Sequence, residues 1–332
     1  MALGFGAAFA DSAPTPDPAT PDPATFEPAA GTQTAARTPQ VEAGEISYVT
    51  DQGALVNDFV FSPDGKTALS GGNDGSVRLL DTRTGAERKH FNFRSPVIDV
   101  AYSRTGSHAV VGTADGFVTM TEIASGSEDG RFQAPEYLVH MAVAPDDGSV
   151  AVLDHHDTVR IYQADGVLLQ RFSGTKSIHG IAWCPGSDCL LVWGIDGLLE
   201  VWDPFRPRRI DLLRGHTGDV RAAGFSADGQ RFATAGDDKQ VLIWDANNGK
   251  RAGSLAGLSE QPTALAWSRD RTRIAVMTAS DQVFVWTLGK RQPRVIRRRE
   301  GFIDVWVTFT PDGKRLALAA IGLGATTARI PE

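Results

Sequence analysis

Cysteine is scarce: the 332-residue chain has two, Cys184 and Cys189. Two thiols exclude a disulfide framework and any all-thiolate metal centre. Neither Cys-x-x-Cys nor Cys-x-x-Cys-His occurs, so the usual support for redox-motif and covalent-haem chemistry is missing. Long apolar runs are also absent. None approaches the ~20 residues that a membrane-spanning helix needs, so no membrane insertion is expected. Gly-x-Ser-x-Gly, a phosphate loop and His-Glu-x-x-His are all missing. Without those signatures of hydrolysis, phosphate binding and zinc chemistry, no enzyme, resident metal or cofactor is expected. A basic excess is lacking too. The formal net charge is −7, which argues against nucleic acid or an anionic membrane surface as the partner.

Glycine and proline are plentiful, at 35 and 18 residues, in a chain that is 42% hydrophobic. That combination suits a turn-dense β protein with a large core. Residues 1–44 stand apart. They are dominated by Ala, Pro, Thr and acids, with Asp11, Asp17, Asp22, Glu27 and Glu42 against a single base, Arg37. So few apolar groups cannot offset the entropy of ordering, so this leader is expected to be disordered. Its first ten residues are apolar and end Ala8-Phe9-Ala10 before Asp11. They resemble the tail of a secretory signal peptide with a small-x-small cleavage site, although the basic start of such a peptide is missing. Two readings stand: an exported, periplasmic protein, which is favoured, or a cytoplasmic one with an Ala-rich N-terminus.

One turn recurs through the rest of the chain, first as Phe61-Ser62-Pro63-Asp64-Gly65-Lys66. Its counterparts begin at Tyr102, Val143, Trp183, Phe225, Trp267 and Phe309, at intervals of 41, 41, 40, 42, 42 and 42. Within a period lie four short strands without helical periodicity. In the fifth repeat they are Val220–Phe225, a strand at 231–235, one at 240–245 after the Gly236-Asp237-Asp238 turn, and a more polar one at 250–255. Four strands in ~40 residues is the pattern of a propeller blade.

Trp202-Asp203 and Trp244-Asp245 close third strands, and Gly215-His216 opens the fifth repeat. These resemble the WD-repeat propeller family, over residues 45–332. Third-strand endings elsewhere are degenerate, as at Leu80-Asp81, Thr121-Glu122, Tyr162-Gln163 and Trp286-Thr287. The resemblance implies a structural hydrogen-bond tetrad, which falls in the fifth blade on His216, Thr234, Asp238 and Trp244. Only that blade has all four residues.

The expected fold is therefore all-β: a seven-bladed β-propeller with four antiparallel strands per blade. After Gly313 the seventh repeat has room for a second and a third strand but no fourth. Residues 45–50, Glu-Ile-Ser-Tyr-Val-Thr, form a surplus alternating strand. Pairing it into the last blade removes an exposed edge, so the N-terminal strand is expected to close the ring.

Blade 3 has the most unusual turn, Asp154-His155-His156-Asp157, with His140 on the innermost strand of the same blade. Carboxylates and imidazoles together could hold a transition metal. The plainer reading is a solvated turn with imidazole in place of the usual Asp, and it is preferred because no ligand spacing fixes a geometry. Innermost strands place Asp58, Asp99, His140, Gly180, Ala222, Ala264 and Trp306 at equivalent positions around the channel. Their acidic arc reads mainly as polar lining, with a cation or basic peptide as its ligand if it has one. Arg206, Arg208 and Arg209, and six bases between Lys290 and Arg299, read as solvated edge. Cys184 and Cys189 flank one hairpin turn. They could form a disulfide, fitting export, or stay reduced in a cytoplasmic protein.

Two functions follow. The resemblance implies a non-catalytic scaffold that binds other proteins through its top face, as one propeller within a larger complex. His140, Asp154, His155, His156, His179, Arg221 and Trp306 are its candidate contact residues. The alternative is an exported propeller that binds a metal or cofactor at the blade 3 His/Asp cluster.

Overall fold

The computed structural model describes residues 56–134, 137–174, 176–206, 208–280, 282–290, 292–297, 304–320 and 324–330. Their strands form seven antiparallel sheets, each laid down in chain order across the sheet. Sheet 1 comprises Val56–Phe61, Thr67–Gly72, Ser76–Asp81 and Glu87–Asn92, and sheet 2 Val97–Tyr102, His108–Thr113, Phe117–Glu122 and Glu128–Gln133. Sheet 3 follows with Leu138–Val143, Ser149–Asp154, Thr158–Gln163 and Leu168–Ser173. Sheet 4 is built from Ile178–Trp183, Leu190–Gly194, Leu199–Asp203 and Arg208–Leu212. Sheet 5 has Val220–Phe225, Arg231–Gly236, Val241–Asp245 and Arg251–Leu255, and sheet 6 has Pro262–Trp267, Arg273–Thr278, Gln282–Thr287 and Arg294–Arg297. Sheet 7 has three described strands, Asp304–Phe309, Arg315–Ala320 and Gly324–Arg329.

The architecture is thus an all-β propeller with six four-stranded sheets and one of three. The strand expected at 45–50 to complete sheet 7 lies outside the described residues, as does the 1–44 leader.

The recurring turn forms because its hydroxyl clips the hairpin. Ser62 Oγ donates to Asp64 Oδ1 at 2.7 Å and accepts the Thr67 N–H at 3.1 Å, while Gly65 supplies the left-handed corner at φ 73°. A side chain at Gly65 would also meet Pro311 of sheet 7, with its Cβ 2.5 Å from the proline ring. Second and third strands are buried on both faces, as in Arg273–Thr278 and Val241–Asp245, and so read as continuous apolar runs. Outermost strands such as Glu87–Asn92 alternate exposed and half-buried positions.

Cores lie between neighbouring sheets. Leu153 and Ile161 of sheet 3 pack with Ile181 and Val192 of sheet 4. Met277 and Val285 of sheet 6 pack with Val307 and Leu318 of sheet 7. Phe59 and Leu80 of sheet 1 share a cluster with Ala317 of sheet 7, so the first sheet packs on the last and the ring closes.

All seven innermost strands carry a register shift at one equivalent position. It leaves Asn57, Ile98, Val139, His179, Arg221, Thr263 and Val305 as the extra residues. A bulge re-aims the side chains around it, and the channel positions 58, 99, 140, 180, 222, 264 and 306 each follow one directly.

Candidate functional site

The turn between second and third strands and the chain entering each innermost strand meet on one face, here the upper face. Repeated backbone bonds hold them: Ala114 N–H to Pro96 O, His155 N–H to Tyr137 O, Ile195 N–H to Ser177 O, and Asp237 N–H to Asp219 O. Turns of the Ser62–Gly65 type occupy the opposite, lower face.

On sheet 3 the cluster seen in sequence is dispersed. Asp154 is not a surface contact: it is 2% exposed. Its Oδ1 accepts the N–H groups of His156 and Thr158 at 2.9 and 3.0 Å, and Arg160 Nη1 pairs with its Oδ2. Asp157 binds Ser177 Oγ at 2.9 Å and the Ile178 N–H at 2.7 Å, tying sheet 3 to sheet 4. His155 and His156 are exposed and lie against each other, with ring centroids 3.8 Å apart and planes tilted by 40°. His140 lies toward the channel, its Nδ1 3.8 Å from Asp99 Oδ2. Among the described residues, the metal-type grouping is instead Cys184, Asp188 and Cys189, and a disulfide joins its two sulfurs. The donor set therefore does not fit a blade 3 metal: Asp154 is already paired with Arg160, Asp157 is taken by Ser177 and the Ile178 N–H, and His140 lies beside Asp99.

The acidic arc is also occupied. Asp58 Oδ2 accepts the Val100 N–H of sheet 2 at 2.9 Å, and Asp99 Oδ2 accepts the Met141 N–H of sheet 3. These carboxylates stitch neighbouring innermost strands together beside the bulges. Burial first, and then the Asp99 charge, push the Asp58 carboxyl up to about 7, and Asp99 is raised by burial against the opposing effect of His140. A folded-state value above the usual 3.8 means that the fold retains a proton which the unfolded chain has lost. Stability should therefore decline as pH rises from about 4 to about 7. Asp58→Asn should flatten that decline in denaturant melts run across the window; an unchanged slope would count against the assignment.

The remaining candidates separate by location. His179 Nδ1 donates to Val220 O at 3.0 Å, an inter-sheet tie. Arg221 grips Asp237 at 2.7 Å and Asp219 at 3.2 Å on the upper face. Trp306 does not belong with them. Its ring is 5.7 Å from Phe59 and it packs at the junction of sheets 7 and 1.

Sequence reading missed Tyr137 and Val139, which are 66% and 46% exposed beside the sheet 3 turn. Tyr137 stands edge-on to His155 at 5.7 Å. A partial signal was available for Val139, since four of its six equivalents, Asn57, His179, Arg221 and Thr263, are polar. The other exposed large hydrophobics among the described residues, Val167, Leu168, Leu169, Phe205, Ile210 and Val295, lie on or next to outermost strands.

Buried polar groups fix the sheets beneath this face. In sheet 5, Trp244 Nε1 donates to Thr234 Oγ1 at 2.9 Å, Thr234 Oγ1 to His216 Nε2 at 2.8 Å, and His216 Nδ1 to Asp238 at 2.9 Å. The four residues thus form one chain of donors ending on a carboxylate that also takes the Thr217 N–H at 3.0 Å. In sheet 4, fully buried Glu200 accepts from Trp202 Nε1 at 2.9 Å and Arg209 Nη1 at 2.5 Å. Arg209 is exposed like Arg206 and Arg208, but its guanidinium reaches in to pair with that buried acid. The Cys184–Cys189 bridge sits where five other turns place a hydroxyl-to-N–H clip, as from Ser226 to the Arg231 N–H at 3.1 Å. A covalent link replaces a hydrogen bond there.

With this geometry established, the comparisons have a clear meaning. Residues 46–81 and 207–245 match the family model "WD domain, G-beta repeat". The chain is 27% identical over 185 residues to a "Periodic tryptophan protein 2 homolog" of Dictyostelium discoideum, covering 53% of this chain and 20% of that protein. It is 24% identical over 93 residues to a "Serine-threonine kinase receptor-associated protein" of Gallus gallus, covering 28% and 27%. A match to "Protein HIR1" of Mycosarcoma maydis is 33% identical over 73 residues, covering 22% of this chain and 7% of that one. The chain thus spans about a quarter or less of each relative's length.

Proposed function

The chain is a WD-repeat protein, and from that premise we propose that it serves as a non-catalytic scaffold binding other proteins through its upper face. The observation that carries this reading is the Tyr137–Val139 pair, exposed beside His155 and His156 on sheet 3. Aromatic side chains presented next to adaptable polar groups are what interface anchors require. Arg221 with Asp237 and Asp219 forms a charged rim two sheets away. His140, His179 and Trp306 support the ring, and Asp154 holds the sheet 3 turn.

Affinity capture tests it. The double variant Tyr137→Ser with Val139→Ser should lose the proteins captured by the wild type, while Val295→Ser on the outer rim should keep them. Equal capture by all three would remove the reading.

The ring is seven-bladed in this proposal, with residues 45–50 pairing as the fourth strand of sheet 7 and residues 1–44 as a disordered leader. The three-stranded sheet 7 packed against sheet 1 supports it. Deleting residues 1–40 should leave the melting temperature within about 2 °C of wild type, whereas deleting 1–51 should lower it by roughly 10 °C or more. Export to an oxidising compartment belongs to the same proposal, supported by the Cys184–Cys189 disulfide.

A further inference from the structure

The lower-face turn of sheet 4 departs from its six counterparts in four places at once. Where the others begin with Ser62, Ser103, Ala144, Ser226, Ser268 and Thr310, this one has Cys184. Five residues on, Cys189 stands at the position of Thr67 and faces Cys184 across the hairpin, the two Cα atoms 5.2 Å apart. In sheets 1 and 5 an acid takes the turn hydroxyl, Asp64 from Ser62 Oγ and Asp228 from Ser226 Oγ, both at 2.7 Å. Gly186 replaces that acid here. A carboxylate returns two residues later as Asp188, where the other turns carry Lys66, Ser107, Gly148, Gln230, Thr272 and Lys314.

Together these changes gather three metal-type donors. One atom from each of Cys184, Asp188 and Cys189 lies within 4.8 Å of the other two. The Asp188 carboxylate folds back over Gly186, with Oδ1 3.0 Å from where a Cβ on that glycine would stand. A side chain at 186, such as the acid of the other turns, would crowd it. Asp188 is exposed, and among the described residues no hydrogen bond or ion pair holds its carboxylate. A structural disulfide needs no acid at its side, so the shifted carboxylate calls for a second role of the pair. Zinc supplies one. With bonds of about 2.3 Å to sulfur and about 2.1 Å to oxygen, a tetrahedral zinc ion sets its ligand atoms roughly 3.5–3.8 Å apart. Cysteines facing each other across a hairpin reach that spacing by side-chain rotation once the S–S bond is open. Two thiolates select a soft or borderline ion over calcium or magnesium, which take oxygen ligands. Three protein ligands leave the fourth position to water.

We infer that reduction of this disulfide creates a zinc site whose ligands are Cys184, Cys189 and Asp188. A dithiol, or two monothiols, supplies two electrons and two protons: the S–S bond opens to two cysteine thiols, and the reductant leaves as its own disulfide. Zinc then displaces both thiol protons, and the Asp188 carboxylate completes the protein's share of the ligands. In the disulfide form the sulfurs are bonded to each other and cannot act as thiolates, so redox state gates the site. The turn lies on the face opposite the protein-binding proposal, so either inference can fail alone.

Zinc titration of the full chain, oxidised and after reduction with a dithiol that is then removed, decides it. The reduced protein should take up one zinc ion at micromolar concentration in competition with a chromophoric indicator, and the oxidised protein none. Cobalt(II) gives a second readout, a thiolate-to-cobalt charge-transfer absorption expected in the reduced protein alone. Asp188→Asn should weaken zinc at least about tenfold, because loss of even an outer partner of a metal site costs that much. Since Asp188 is exposed, this variant should melt as wild type, which makes its result decisive. The double variant Cys184→Ser with Cys189→Thr rebuilds the hydroxyl clip that Ser62 makes to the Thr67 N–H, and it should fold and bind no zinc. Absence of binding to the reduced protein at micromolar zinc, equal binding by the oxidised and reduced forms, or full affinity in either variant would each overturn the assignment.

Discussion

Replacing Arg160 with Met is expected to remove about 3–5 kcal/mol of folding stability. The side chains of Arg160 and Asp154 are 11% and 1% exposed, so the pair sits inside the sheet. Removing the guanidinium leaves a carboxylate in a low-dielectric interior with only two backbone N–H groups to satisfy it. Leaving one charge of a buried pair alone is far more damaging than removing both. The double variant Arg160→Met with Asp154→Asn should therefore recover most of the loss, since Asn can still accept from the His156 and Thr158 N–H groups. Urea denaturation of the three proteins measures this. Equal destabilisation in single and double variants would mean that the packing of the Arg160 stem, and not its charge, is what matters.

Thr234→Val is expected to cost about 3 kcal/mol, although the two side chains have almost the same shape. Thr234 is fully buried, and its hydroxyl is the middle link between Trp244 and His216. Valine would leave the indole N–H and the imidazole Nε2 both unpaired in the interior. Each orphaned buried group carries a desolvation penalty of about 1–3 kcal/mol. Thr234→Ser keeps the hydroxyl and loses one methyl, so its cost should be about 1 kcal/mol. Thermal melts give the totals. Hydrogen exchange should localise the Val variant's loss to Val241–Asp245 and the strand beside it. A Val variant no worse than the Ser variant would show that the donor chain contributes little.

Much of the ring was legible because turns carry their own chemistry. A hydroxyl, an acid and a glycine at fixed spacing mark a hairpin wherever they occur, and the period followed from counting them. His216, Thr234, Asp238 and Trp244 could be placed because one repeat has a full set of residues matching a family motif. The pairs Asp154–Arg160 and Glu200–Arg209 could not. Each joins residues on neighbouring strands, and in a linear reading an arginine on an alternating strand looks like solvent-facing surface. The arginine cluster of blade 4 therefore read as edge when one member neutralises a buried acid.

The innermost-strand bulge explains most of the remaining misjudgements. A register shift changes which face a side chain takes, and nothing in the local residue types announces it. Without it, Asp58 and Asp99 looked like free channel lining, whereas beside the bulge their carboxylates reach N–H groups on the next sheet. The same shift turns Val139 outward next to Tyr137. Trp306, which aligned with the channel positions, packs between sheets 7 and 1.

Hydrogen exchange of the protein free and bound to its captured partner tests most directly which surface it offers. Protection is expected at residues 137–139 and in the turn at 155–157, with the lower-face turns near Ser62, Ser226 and Thr310 unchanged. Protection confined to the lower-face turns, with residues 137–157 exchanging as in the free protein, would contradict the assignment of the upper face.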